Sequence, residues 1–171
     1  ISNIRGGVFN LLATNANQSV SFRNITMKQL DTLDNGTALQ LFTSSGTQMV
    51  EWTDSTWEDC QANLSGGLLL ANNVTVLNVT NCQFKKNKVP NGGLFAVHCH
   101  NPAGCDAKFQ SNYFFQNQAK DGVIRLNDNV RSHFVNHTVV DDTPLHLWAS
   151  NTSQVDFAEV YATYSSSTPL L

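Results

Sequence analysis

One pattern of four residues comes round six times in this chain: an apolar residue, another two on, a short polar residue two further, and an apolar residue three beyond that. The copies are Val20, Phe22, Asn24, Met27; Val50, Trp52, Asp54, Trp57; Leu77, Val79, Asn81, Phe84; Ala107, Phe109, Ser111, Phe114; Ser132, Phe134, Asn136, Val139; and Val155, Phe157, Glu159, Ala162. The interval between copies drifts from 23 to 30 residues, so insertions are tolerated between the units and not within them. An internal repeat of this length marks a solenoid.

The period within each copy is two, which belongs to an extended strand rather than a helix. The polar residue suits a tight bend, because a short polar side chain satisfies backbone groups and Asn tolerates left-handed dihedrals. Taken on the same inward face as the apolar pair, Asn24, Asn81 and Asn136 are expected to form an amide ladder between coils. Three residues after the last apolar position, Cys60, Asn87, Asn117 and Asp142 provide a second turn.

A Gly-led or Pro-led apolar strand then follows in every unit, ending at Phe9, Leu39, Leu69, Phe95, Ile124 and Leu147. Three short strands per coil, with no run of helix formers, leave each strand only its equivalent in the next coil to pair with. The expected fold is all-β, a single-stranded parallel β-helix of about six coils. The repeat fills residues 1–171 as one segment. Both ends look cut inside the repeat, since Thr168, Pro169 and Leu170 echo Thr143, Pro144 and Leu145. A longer parent chain, or a subunit stacking end to end on its neighbours, is therefore expected.

Charged residues are 13% of the chain, the formal charge is −3, and Lys85-Lys86 is the one adjacent basic pair. A nucleic-acid footprint is missing. No apolar stretch reaches the roughly 18 residues that span a bilayer, so direct membrane insertion is not expected of this segment.

Eight Asn-X-Ser/Thr sequons begin at Asn17, Asn24, Asn35, Asn63, Asn73, Asn78, Asn136 and Asn151. With 20 Asn and 29 Ser or Thr in 171 residues, random placement gives about three, and this enrichment points to a secreted, N-glycosylated protein. Asn78 lies between inward Leu77 and Val79, faces solvent, and is the best single candidate. Asn17, Asn63, Asn73 and Asn151 fall in connections, while Asn24 and Asn136, read as inward, are expected to be closed to sugar.

The four cysteines allow three pairings. Cys99 and Cys105 share a Pro- and Gly-containing loop and are expected to form a local disulfide, which suits an oxidising compartment. The alternative, a metal site from His98, Cys99, His100 and Cys105, matches no common zinc spacing. Cys60 and Cys82 occupy different registers, and their bonding is left open.

Acid–base glycoside hydrolysis needs convergent carboxylates. Asp141 and Asp142, with His133, His137, Arg125 and Arg131 nearby, and the group Asp54, Glu58 and Asp59 are the candidates, but neighbouring residues on a strand point opposite ways. No catalytic pair, phosphate loop or calcium nonapeptide is found, and neither catalysis nor a cofactor is expected. Trp52 and Trp57 hold inward registers; Trp148, Tyr113 and Tyr161 lie outward, and an exposed Trp148 offers a sugar-stacking surface.

Phe84-Lys85-Lys86-Asn87 followed by Gly92-Gly93-Leu94-Phe95, and Phe114-Phe115-Gln116-Asn117 followed by Gly122-Val123-Ile124, resemble the paired Phe-X-X-Asn and Gly-Gly-Ala-Ile repeats of polymorphic outer-membrane protein adhesins. More broadly the chain is similar to the pectin-lyase-like β-helices, a resemblance that implies right-handed coiling, as does the usual crossover rule. Met27-Lys28-Gln29-Leu30 and Trp57-Glu58-Asp59-Cys60 depart from Phe-X-X-Asn. The superfamily's catalytic residues find no matching positions.

The functional expectation is an extracellular or cell-surface structural rod: a stalk, adhesin or fibre component. Its partners would be copies of itself or neighbouring coils end to end, glycans, or other cell-surface proteins. The competing expectations are a polysaccharide-acting enzyme and a carbohydrate-binding module centred on Trp148.

Overall fold

The computed structural model describes residues 9–13, 17–32, 39–43, 47–62, 67–140, 143–144, 147–149 and 153–163. Among these, every regular element is a β-strand and every pairing is parallel. The chain is a parallel β-solenoid.

The first coil holds β1 (Phe9–Ala13), β2 (Gln18–Arg23), β3 (Thr26–Lys28) and β4 (Asp31–Thr32); the second β5 (Leu39–Thr43), β6 (Gln48–Thr53), β7 (Thr56–Glu58) and β8 (Gln61–Ala62). The third holds β9 (Leu69–Asn72), β10 (Val76–Thr80), β11 (Gln83–Lys85) and β12 (Lys88–Val89); the fourth β13 (Phe95–Cys99), β14 (Cys105–Gln110), β15 (Tyr113–Phe115) and β16 (Gln118–Ala119). The fifth holds β17 (Ile124–Asp128), β18 (Val130–Val140) and β19 (Thr143–Pro144), and β20 (Leu147–Ala149) and β21 (Gln154–Thr163) begin a sixth.

Three sheets run along the axis. The first stacks β1, β5, β9, β13, β17 and β20; the main sheet stacks β2, β6, β10, β14, β18 and β21, with β3, β7, β11 and β15 beyond a bend; the narrow third stacks β4, β8, β12, β16 and β19. The sequence pattern counts three strands per coil. The four complete coils have four, because a second bend separates the two-residue strands of the third sheet.

All six copies of the repeat align in register. Val20, Val50, Leu77, Ala107, Ser132 and Val155 form one inward column, and Phe22, Trp52, Val79, Phe109, Phe134 and Phe157 the next. Met27, Trp57, Phe84, Phe114, Val139 and Ala162 form a third. Burying a continuous apolar core is the main source of stability in such a stack. Trp52 meets Trp57 at 4.8 Å between ring centroids, Phe84 stacks on Phe114 at 4.8 Å, and Phe109 on Phe134 at 5.0 Å.

Between β2 and β3, and at the equivalent place in each later coil, sits a residue with positive φ: Asn24, Asp54, Asn81, Ser111, Asn136 and Glu159. Gln29, Asp59, Lys86 and Gln116 repeat this at the second bend. A left-handed residue interrupts the strand alternation. It therefore faces outward, and the residue after it turns inward.

The expected amide ladder at Asn24, Asn81 and Asn136 is consequently misplaced: of these three, Asn24, Asn81 and Asn136 are all exposed. The inward columns are Ile25, Ser55, Cys82, Asn112 and His137 at the first corner and Leu30, Cys60, Asn87 and Asn117 at the second. Each corner amide binds the coil below twice. Asn112 accepts from the Cys82 N–H (2.9 Å) and donates to the Val79 carbonyl (2.8 Å). Asn117 accepts from the Asn87 N–H (3.1 Å) and donates to the Phe84 carbonyl (2.9 Å), and Asn87 accepts from the Cys60 N–H (3.0 Å) and donates to the Trp57 carbonyl (3.1 Å). Backbone groups that a tight corner would strand inside the core are thus paired.

Candidate functional site

Five of the eight sequon asparagines lie among the described residues, and all five belong to the main sheet or its margin. Asn78 sits mid-strand on β10 with its side chain outward, flanked in register by Glu51 and Lys108. Asn24 and Asn136 occupy the exposed left-handed bend, at φ 54° and 49°. Asn136 donates from Nδ2 to the Ser111 hydroxyl at 3.2 Å. The expectation that these two point inward is corrected by the bend geometry: both are open to solvent.

Asn17, exposed before β2, accepts from the Thr47 N–H (3.1 Å), and Asn73, in a left-handed bend after β9, accepts from the His100 N–H (2.7 Å). In both, the amide oxygen braces a neighbouring coil, and Nδ2 is the atom to which an N-glycan attaches. Asn35, Asn63 and Asn151 lie outside the described residues.

The outer face of the first sheet carries a second cluster. Register places Arg125 beside Trp148, and the guanidinium lies 4.7 Å from the indole centroid, a favourable cation–π geometry. Asp121 holds Arg125 Nη1 from the other side at 3.0 Å. Arg125 Nε donates to the Asn127 side-chain Oδ1 at 3.4 Å, and Asn127 Nδ2 lies 3.4 Å from His98 Nε2. Burial first, and then the charge of Arg125, hold the His98 imidazole below its ordinary range, so it is neutral at physiological pH. Trp148, as expected, is exposed, at 36%. Tyr161 is exposed and Tyr113 half-buried, its ring beside Phe115 and under the Lys85 ammonium.

Cys99 and Cys105 form the disulfide that the loop implies, with Cα atoms 5.9 Å apart. Two sulfurs tied to each other are no longer thiolate ligands, and among the described residues no three His, Cys, Asp or Glu side chains converge on a metal position. His100 instead faces Asp128 at 3.2 Å. Cys60 and Cys82 are both free and buried, in the two different corner columns. Burial pushes the Cys60 thiol up and the Cys82 thiol up to about 11.

The acidic candidates separate. Asp54 takes the bend column and accepts from Asn81 Nδ2 at 2.6 Å; Glu58 pairs with Lys28 at 2.6 Å; Asp59 holds the second bend. Arg131 pairs with Asp106 (2.7 Å) and His133 with Asp156 (3.3 Å), both across adjacent coils of the main sheet. His137 is buried at the first corner between the Phe114 and Phe134 rings. Asp141 and Asp142 lie outside the described residues.

The Arg125–Trp148 pair escaped the sequence reading, which set Arg125 beside Asp141 and Asp142. Aligning inward Ile124 with inward Leu147 would have placed the following residues, Arg125 and Trp148, in one outward column. No protein-family model, curated protein or solved structure matches this chain.

Proposed function

We propose that this chain is a segment of an extracellular, N-glycosylated β-helical rod with a structural or adhesive role, and that it catalyses no reaction. The observation that carries the reading is the placement of sequons: none of the five sequon asparagines among the described residues is buried in the core, so a sugar attached there would project from the surface. The Cys99–Cys105 bond supports an oxidising compartment. A stack rising about 4.8 Å per coil lengthens by simple repetition, and sugars on an outward sheet face oppose lateral sheet aggregation. The repeat units favour kinship with the polymorphic outer-membrane adhesin repeats and, more widely, the right-handed pectin-lyase-like helices, carried by a secretory-pathway protein. Its partners are further coils or copies end to end, and glycans or proteins of the cell surface.

The test is expression with a signal peptide in eukaryotic cells, followed by site-resolved mass spectrometry of the secreted material. Glycopeptides are expected at Asn78, Asn24 and Asn136. Secreted protein bare at all three refutes the reading.

A second reading, carbohydrate binding at Trp148, is favoured by the exposed indole braced on Arg125, whose guanidinium also reaches the Asn127 amide. Trp148→Ala should abolish retention on a glycan array while leaving the circular dichroism unchanged. Equal retention of both proteins discards it.

A further inference from the structure

Two neighbouring coils turn the same corner with different chemistry. In the third coil the chain passes from β12 to β13 through Pro90, Asn91, Gly92, Gly93 and Leu94; in the fourth it passes from β16 to β17 through Lys120, Asp121, Gly122 and Val123. The Asp121 N–H donates to the Gly92 carbonyl at 3.2 Å and ties the two turns together. Asp121 is fixed, its carboxylate held by Arg125 Nη1 at 3.0 Å. Asn91 is exposed, and among the described residues neither its carboxamide nor the Gly92 N–H makes a hydrogen bond.

Asn91 is also the one described asparagine that a glycine follows; Asn35, which precedes Gly36, lies outside the described residues. A residue without Cβ lets its backbone nitrogen approach the preceding side chain closely. At exposed Asn24 and outward Asn78 the next residue is β-branched, Ile25 or Val79, and crowds that approach.

We propose that Asn91 is a site of spontaneous covalent modification, closing onto Gly92 and hydrolysing to a mixture of aspartate and isoaspartate. The Gly92 amide nitrogen loses its proton to hydroxide and attacks Asn91 Cγ. The new C–N bond closes a five-membered succinimide, and the carboxamide nitrogen leaves as ammonia. Water then opens the ring. Breaking the bond to Cγ gives aspartate; breaking the bond to the residue 91 carbonyl carbon gives isoaspartate, whose main chain runs through Cβ and Cγ.

Either product adds a negative charge to the formal −3 of the chain, in a turn whose neighbour already carries Asp121. Isoaspartate also lengthens the main chain by a carbon at a place without slack. Upstream, the Val89 carbonyl accepts from the Lys120 N–H at 3.2 Å; downstream, the Gly93 and Leu94 carbonyls accept from the Gly67 and Leu68 N–H groups at 3.0 and 2.9 Å. Gly93 is packed so closely that a Cβ there would stand 2.9 Å from the Gly122 carbonyl oxygen. The lengthened turn therefore strains the third-coil corner.

Site-resolved peptide mapping of the purified 171-residue chain, held folded in mildly alkaline water enriched in heavy oxygen, reads the reaction. The Asn91 peptide should lose its amide, gain one heavy oxygen and contain both aspartate and isoaspartate, faster as pH rises. Gly92→Ala should slow the loss severalfold with circular dichroism unchanged. Should Gly92→Ala fail to fold, the isomer mixture and the pH series of the wild type decide. The isoaspartate form, separated by ion exchange and chromatography, should melt below Asn91→Asp, which carries the same charge on a main chain of normal length. An Asn91 that stays amidated in the folded chain while it converts in urea, a product that is aspartate alone, or a folded Gly92→Ala that converts as fast as wild type would overturn the proposal. An isoaspartate form as stable as Asn91→Asp would overturn the strain assigned to the corner.

Discussion

The second corner is built on one backbone plan in each of the first four coils, yet its inward residue changes from Leu30 to Cys60 to Asn87 to Asn117. In the third and fourth coils an amide both accepts a buried N–H and donates to a buried carbonyl. In the second, the Cys60 thiol lies 3.8 Å from the Met27 carbonyl as a weak donor, and in the first Leu30 has no polar group at all. The first corner shows the same gradient, from Ile25 through Ser55 and Cys82 to Asn112. The left-handed bend is thus common to every coil, and polar locking of the coils to one another is concentrated from Asn87 onward.

Breaking the locked half should cost most through its core. Phe84 contacts Phe95 and Phe114, and Phe84→Ala is expected to destabilise by about 3–5 kcal/mol, as a buried phenyl removed from a packed interior. Urea denaturation measures it. Asn117→Ala leaves the Asn87 N–H without its acceptor and the Phe84 carbonyl without its side-chain donor, for a loss of about 2–4 kcal/mol. A loss under about 0.5 kcal/mol would show that the corner amides are not what distinguishes the two halves. Replacing both Cys99 and Cys105 with Ser should cost about 2 kcal/mol through the freed loop.

Alkaline titration probes the thiol corners. The Cys82 thiol is held neutral in the fold up to about 11, whereas in the unfolded chain it ionises near pH 8.5. Its raised value means that the associated stability is complete below pH 8.5 and drains away as pH rises toward 11. Cys82→Ser should flatten the fall in melting temperature over that window. The smallest effect runs in the opposite direction: Cys60→Asn, which copies Asn87 one coil down, should stabilise by about 1 kcal/mol by giving the Leu30 N–H an amide oxygen in place of the weak sulfur acceptor it now meets.

The inward columns were legible because a period of two survives as long as the strand does, and the six copies mapped onto six aligned rungs without a slip. The corners were not, because a single residue at positive φ reverses the alternation. Asn24 and Asn136 therefore read as inward when they face solvent, and at that corner the inward amide is Asn112, one residue after its bend at Ser111, bonded to backbone groups of the coil below. Asn87 and Asn117 were visible as turn residues, though not as a hydrogen-bonded stack. The Cys99–Cys105 loop was legible from its length and its Pro and Gly. The Arg125–Trp148 pair spans two coils, and only a register-level alignment of the first sheet brings its members together.

A cryo-EM map of the secreted protein would test the rod reading most directly. The account predicts stacked parallel coils about 4.8 Å apart, with sugar density projecting from Asn78 on the outer face of β10 and from the bends at Asn24 and Asn136. Coils with all three asparagines bare, in material that has passed through the secretory pathway, would contradict it.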